Sequence, residues 1–188
     1  MGTDKARLQV GGRSLIEHAL AALEEVAEPV VLAPGAAPRY GELGRELVLD
    51  APTEPGEPSA AGPLAGLLAV LEAARTDWVA VLACDLPRIA PELIGRLHRR
   101  ALERGADACL FATRGGLEPL IAVYHRRCAP AVRAALEAGE RRLVAFHPGL
   151  SVATVHEDEL GPELRGRELA TNVNEPAELA AERRRCAP

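Results

Sequence analysis

No run of apolar residues in this sequence approaches the ~20 that a bilayer-spanning helix needs, so a membrane is excluded as a partner. The N-terminus, Met1-Gly2-Thr3-Asp4-Lys5, has no apolar signal region. There is no basic excess either. Lys and Arg number 22 against 27 Asp and Glu, a formal net charge of −5, so no face is offered to nucleic-acid phosphates. Lysine is almost absent, and Arg supplies the cationic patches at 99–100, 126–127, 141–142 and 183–185. The first and last of these fall on solvent-facing helix surfaces. Cys84, Cys109, Cys128 and Cys186 are scattered with no C-x-x-C pair, which excludes a disulfide framework or zinc cluster and fits a reducing cytoplasm. The five His show no ligand spacing, and no Ser/His/Asp or Cys/His set is present for nucleophilic catalysis. The expectation is a soluble, cytoplasmic protein with one domain over 1–188, a length that can bury its own core.

What is present centres on Asp77 to Pro87. Every residue from Trp78 to Cys84 is apolar, which predicts a central strand buried on both faces, as in a parallel sheet covered by helices. Pro87 forces a turn. Asp85 thus sits at the carboxyl end of that strand, where open α/β sheets bind ligands. A lone Asp after a strand is often a cap. Here Leu86 to Pro91 separates it from the next helix, which favours a metal-ligand role.

Before that stretch, 1–13 reads as a loop or a short extended piece. Ser14 with Glu17 forms a capping box, and apolar spacing predicts a helix from Leu15 to Val26. Short strands are predicted at 29–33 and 46–49, with a turn of helix at 40–44 between them. Residues 51–63 shift to Pro, Gly, Glu, Ser and Ala, a long loop of the kind that is functional or disordered. Pro63 opens a helix to about Arg75. Beyond the central strand come a helix at 91–104, strands at 106–112 and 119–124 pairing as a hairpin, and a helix at 129–138 capped by Gly139. Weak strands at 152–155 and 168–170 and a final helix from Pro176 through Arg185 complete the order. Strands alternating with helices predict a three-layer α/β fold with a mixed, mostly parallel sheet.

Four pieces can meet at the carboxyl edge of such a sheet: Asp4-Lys5, Asp50, Gly62-Pro63-Leu64-Ala65-Gly66 and Asp85. A helix start with small residues lets a phosphate or base approach backbone N–H groups. One Asp beside phosphate oxygens suits Mg²⁺, which keeps several waters, and a Lys offsets phosphate charge. Taken singly, Asp4-Lys5 reads as a solvated pair and Gly-Pro-Leu-Ala-Gly as a helix start. Asn172 and Asn174, two apart on an extended segment, face one side. Asx-turn chemistry before the last helix explains them equally well on spacing alone.

Together these segments resemble the molybdenum cofactor guanylyltransferases, nucleotidyltransferases with a Rossmann-like fold. The resemblance rests on Met1-Gly2-Thr3-Asp4-Lys5-Ala6, Gly62-Pro63-Leu64-Ala65-Gly66, Cys84-Asp85-Leu86-Pro87, Gly139-Glu140-Arg141-Arg142-Leu143 and Asn172-Val173-Asn174-Glu175-Pro176, in the family's order over nearly the whole chain. It implies transfer of GMP from GTP to molybdopterin with release of pyrophosphate. Asp85 would then bind Mg²⁺ and Lys5 the triphosphate, both as catalytic residues. Asp50, Gly62, Pro63, Leu64 and Gly66 would lie against GTP, and Arg141, Asn172 and Asn174 on the molybdopterin side. Molybdoenzymes or their chaperones would be transient partners.

The resemblance has two departures. The family opens with a strand and a Leu-Ala-Gly-Gly-x-Ser-x-Arg loop directly before the Met-Gly-x-Asp-Lys segment, and this sequence begins at that Met. The implied reading is truncation relative to the family, with weak or absent transferase activity for the 188 residues alone. Ala33-Pro34-Gly35 stands where family members often carry Asn contacts to the nucleotide. Cytidylyl transfer, nucleotidyl transfer to another phosphorylated metabolite, and an inactive binding protein without the phosphate loop stay open as alternatives.

Overall fold

The computed structural model describes residues 4–50, 62–173 and 176–185. Asn174, the 51–61 loop, Met1 to Thr3 and Cys186 lie outside the described residues. A short hairpin, β1 (Gln9–Val10) and β2 (Arg13–Ser14), turns through Gly11 and Gly12, whose φ values of 55° and 83° suit glycine. Ser14 donates its N–H and its hydroxyl to the Glu17 carboxylate, at 2.7 and 2.5 Å, and so starts α1 (Leu15–Glu24). A parallel pair follows, β3 (Val31–Leu32) and β4 (Glu46–Leu47). Next come α2 (Gly62–Ala73), β5 (Trp78–Leu82) and α3 (Pro91–Arg104), the last closed by Gly105 in the left-handed conformation. The remainder is β6 (Ala108–Thr113), β7 (Gly116–His125), α4 (Ala129–Glu137), β8 (Val152–His156) and α5 (Pro176–Arg185).

The main sheet runs β5-β7-β6-β8. The strand β7 is antiparallel to both neighbours, whereas β6 and β8 are parallel. Three of the four strands therefore point one way, with the hairpin strand reversed between them. Helices cover both faces. Leu93, Ile94 and Leu97 of α3 pack on Cys109, Phe111, Ile121 and Val123. On the other face Leu64, Leu67 and Leu71 of α2 and Val132 of α4 pack on Leu110, Ala122 and Tyr124. This is the predicted three-layer α/β arrangement with a mixed sheet.

Three expectations are corrected. The 78–84 run ends as a strand at Leu82, leaving Cys84 and Asp85 in a turn. It is an edge of the described sheet and all five of its residues are only half-buried. Its faces are covered as predicted, with Trp78, Ala80 and Leu82 toward α3 and Val79 and Val81 toward α2. Exposure comes from its outer side. Ala83 N–H bonds Leu120 C=O at 3.0 Å and Arg126 N–H bonds Asp77 C=O at 2.7 Å, so odd-numbered residues turn their backbone to β7. The even-numbered ones turn theirs outward, onto a cavity of about 500 Å³ between β5 and β3. Residues 168–170 form a turn rather than a strand, with Glu168 at φ 51°. The fifth expected strand is also longer than 119–124: β7 begins at Gly116, and a register shift lies opposite Leu110/Phe111.

Candidate active site

The turn after β5 carries Asp85. Leu86, Ile89 and Ala90 anchor the turn in the core, which fixes where that carboxylate stands. Burial raises its pKa above the ordinary carboxyl range, and its own backbone N–H and the Lys5 charge work in the opposite sense. Lys5, the only lysine in the sequence, is exposed in a one-turn 3-10 helix, Lys5–Arg7. It lines the same cavity as Asp85, close enough for its charge to act on that carboxylate.

A residue the sequence reading passed over holds that turn. Tyr40 is buried at 8 % exposure in a left-handed conformation, φ 69°, uncommon for an aromatic residue. Its hydroxyl donates to both Asp4 carboxylate oxygens at 2.9 Å. Asp4 in turn accepts from Ala6 N–H at 3.1 Å and caps the Lys5 turn. The Arg7 and Arg39 guanidinium groups lie 5.4 and 5.5 Å from the Tyr40 ring centre. Burial and the Asp4 bond push the phenol up to about 12. No local pattern in 36–44 announced this, because the contact joins residues 36 apart.

The start of α2 borders the same cavity through Pro63 and Gly66. Gly62 is exposed at φ 65°. Leu64 is fully buried in the core beneath this helix start. Asp50 is buried beside this helix start, its Oδ1 3.6 Å from where a Cβ on Gly66 would stand. Its N–H donates to Gly35 C=O at 3.2 Å, which ties the end of the β4 segment to the Ala33-Pro34-Gly35 turn.

On the other side of Asp85, Val173 N–H donates to Asp85 C=O at 3.0 Å. Val173 is fully buried against Val10 and Leu15, and Asn172 before it is exposed. The structure thus brings Asn172 next to the Asp85 turn. Arg141 is not drawn in comparably. It is exposed after α4 and bonds locally, to Glu140 C=O at 3.3 Å. Glu118 on β7, also unanticipated, is half-buried, and its pKa is raised by burial and by the Asp85 charge.

The donor set decides what ion would fit. Among the described residues no three or more His, Cys, Asp or Glu side chains gather as a metal cage. One carboxylate with a lysine opposite suits Mg²⁺ that keeps its waters and takes its other ligands from phosphate oxygens. An all-protein site for a softer metal does not fit.

The sequence model of the MobA-like NTP transferase domain matches residues 1–152. A probable molybdenum cofactor guanylyltransferase of Opitutus terrae is 36% identical over 195 aligned residues, covering 98% of this chain and 89% of the relative. A molybdenum cofactor guanylyltransferase of Burkholderia vietnamiensis is 35% identical, with the same two shares. Among solved structures, molybdopterin-guanine dinucleotide biosynthesis protein A of Archaeoglobus fulgidus superposes with a TM-score of 0.74 at 24% identity, over 98% of this chain and 91% of its own. The 2-C-methyl-D-erythritol 4-phosphate cytidylyltransferase of Thermus thermophilus superposes at 0.68 and 23% identity, over 98% and 94%. At those identities the two structures speak for the fold. Among the described residues no helix is long and apolar enough to cross a membrane.

Proposed function

Because this chain belongs to the MobA-like NTP transferase family and is a nucleotidyltransferase, we propose that it transfers GMP from GTP to molybdopterin. The arrangement that carries the reading is the convergence of Lys5, Asp85 and the Pro63–Gly66 helix start on one cavity beside the end of β5. Curated relatives carrying the guanylyltransferase name support the choice of base and acceptor.

In the reaction a terminal phosphate oxygen of molybdopterin forms a bond to the α-phosphorus of GTP. The bond from that phosphorus to the bridging oxygen of the β-phosphate breaks, and pyrophosphate leaves. A phosphate monoester with second pKa ~6 is largely ionised at neutral pH, so the attacking oxygen needs no general base. What the chain supplies is position and charge. The Lys5 ammonium offsets triphosphate charge, held in place by the Asp4–Tyr40 contact. The backbone at Gly62 to Gly66 receives nucleotide, with Asp50 behind it near base or ribose. Asp85 would hold Mg²⁺, which when bound neutralises phosphate charge and orients the triphosphate. Asn172, beside the Asp85 turn, stands on the side assigned to the acceptor. The product would pass on to molybdoenzymes or their chaperones.

The test is turnover. With molybdopterin and Mg²⁺, the protein is expected to release pyrophosphate from GTP at least tenfold faster than from CTP. A preference for CTP would move the reading to cytidylyl transfer, and nucleotide binding without turnover would favour a binding protein.

A further inference from the structure

The C-terminal helix is joined to the Asp85 turn by a charged fork that the site chemistry above leaves unused. Arg88, three residues after Asp85, donates Nε to Glu182 Oε2 at 3.0 Å and its Nη2 to Glu182 Oε1, a bidentate pair. Its Nη1 reaches Glu168, which also accepts from Arg185 at 2.8 Å. Glu182 is only 4 % exposed, on a helix otherwise rich in solvent-facing charge. Removing a carboxylate and a guanidinium from water costs free energy, and such a pair seldom stabilises more than an apolar contact of equal volume. Its geometry is what an apolar contact lacks: two parallel N–H···O bonds fix both angle and register.

The register so fixed is that of the Asn172 segment. Asn172 precedes α5 in the sequence by four residues, and Val173 N–H is bonded to the Asp85 carbonyl. The same helix rests on the strand that follows Lys5, through Leu179 beside Val10 and through Arg183 Nε on Gln9 C=O at 2.9 Å. One helix therefore touches the chain just after Lys5 and just after Asp85. We propose that Arg88 is a positioning residue, whose fork on Glu182 sets the distance between the Asn172 segment and the Asp85 carboxylate, and so places the acceptor against the nucleotide. This rests on the functional reading above only in calling the Asn172 side the acceptor side.

The experiment compares Arg88→Ala and Glu182→Gln with the parent protein. Both variants are expected to raise KM for molybdopterin tenfold or more while KM for Mg·GTP and kcat stay within twofold. A fold-stabilising role alone would move all three parameters together or none, and either result overturns the proposal. Amide exchange supplies an arm independent of turnover. Val173 N–H should exchange at least tenfold faster in Glu182→Gln with the β5 amides unchanged; an unchanged Val173 rate overturns the coupling. A parent protein that does not act on molybdopterin would refute the functional reading instead, and the exchange result would still judge the fork.

Discussion

Asp85 has an ionisation that burial opposes and a ligand would reward. Its raised pKa means that the folded chain favours the protonated carboxyl. That contribution to stability is present below the ordinary carboxyl pKa and is lost as pH rises through the raised value. Above it the ionised group is a burden on the fold. Asp85→Asn is therefore expected to unfold at the same temperature as the parent protein or higher at pH 7–8, while turnover falls by ~100-fold or more with the loss of ion-held phosphate charge. The same sign applies to binding. Mg²⁺ needs the ionised carboxylate, so Mg-dependent GTP affinity should weaken as pH is lowered through a range above that of an ordinary Asp, and calorimetry at stepped pH reads this directly. Tyr40 offers a second test. Phe keeps the ring between its two arginines and removes both bonds to Asp4. Tyr40→Phe should cost about 1 kcal/mol in denaturant unfolding and loosen the Lys5 turn, seen as faster exchange of the Ala6 amide.

At the scale of elements, the local rules worked where the determinants are local. Ser14 and Glu17 marked the start of α1, the expected 91–104 helix is α3, and the expected pairing of 106–112 with 119–124 is the β6–β7 hairpin. They failed where position depends on which strands pair. Trp78 to Cys84 reads as central from its apolar run, yet that run reports covered faces and carries no information about edges. Glu168 to Ala170 reads as a weak strand but serves as a turn, with the Glu168 carboxylate drawn to Arg88 and Arg185. The site followed the same rule. Lys5, Asp85 and Pro63-Gly66 were legible as short motifs and do converge, whereas Tyr40, Glu118 and Arg88 act through partners distant in sequence and left no local sign. The α3 cap gives this scale its prediction. Gly105 sits at φ 57° with its N–H on the carbonyls of Ala101 and Leu102. Gly105→Ala should destabilise by about 1 kcal/mol and lower the thermal midpoint without changing Mg·GTP affinity, since the cap is remote from the cavity.

Across the whole molecule, two covered sheet faces supply rigidity and one uncovered strand side supplies the cavity. Leu93 and Leu97 on one face and Leu64 and Leu67 on the other are buried to within a few per cent, so β5 is held between two packed layers. The chain can then present a half-buried carboxylate at the end of β5 without the fold yielding around it. The C-terminal helix is bonded to that turn through Arg88 and Glu182, next to the Val173–Asp85 contact. The central claim is that this carboxylate secures a divalent ion against a nucleoside triphosphate. Thermal unfolding with GTP, with and without Mg²⁺, on the parent protein and on Asp85→Asn tests it most directly. GTP at 100-fold over its Kd stabilises a protein that binds it by ~2.7 kcal/mol. The parent protein should show that shift with Mg²⁺ and lose most of it with EDTA, and Asp85→Asn should show little shift in either. Equal Mg·GTP shifts in the two proteins would contradict the assignment.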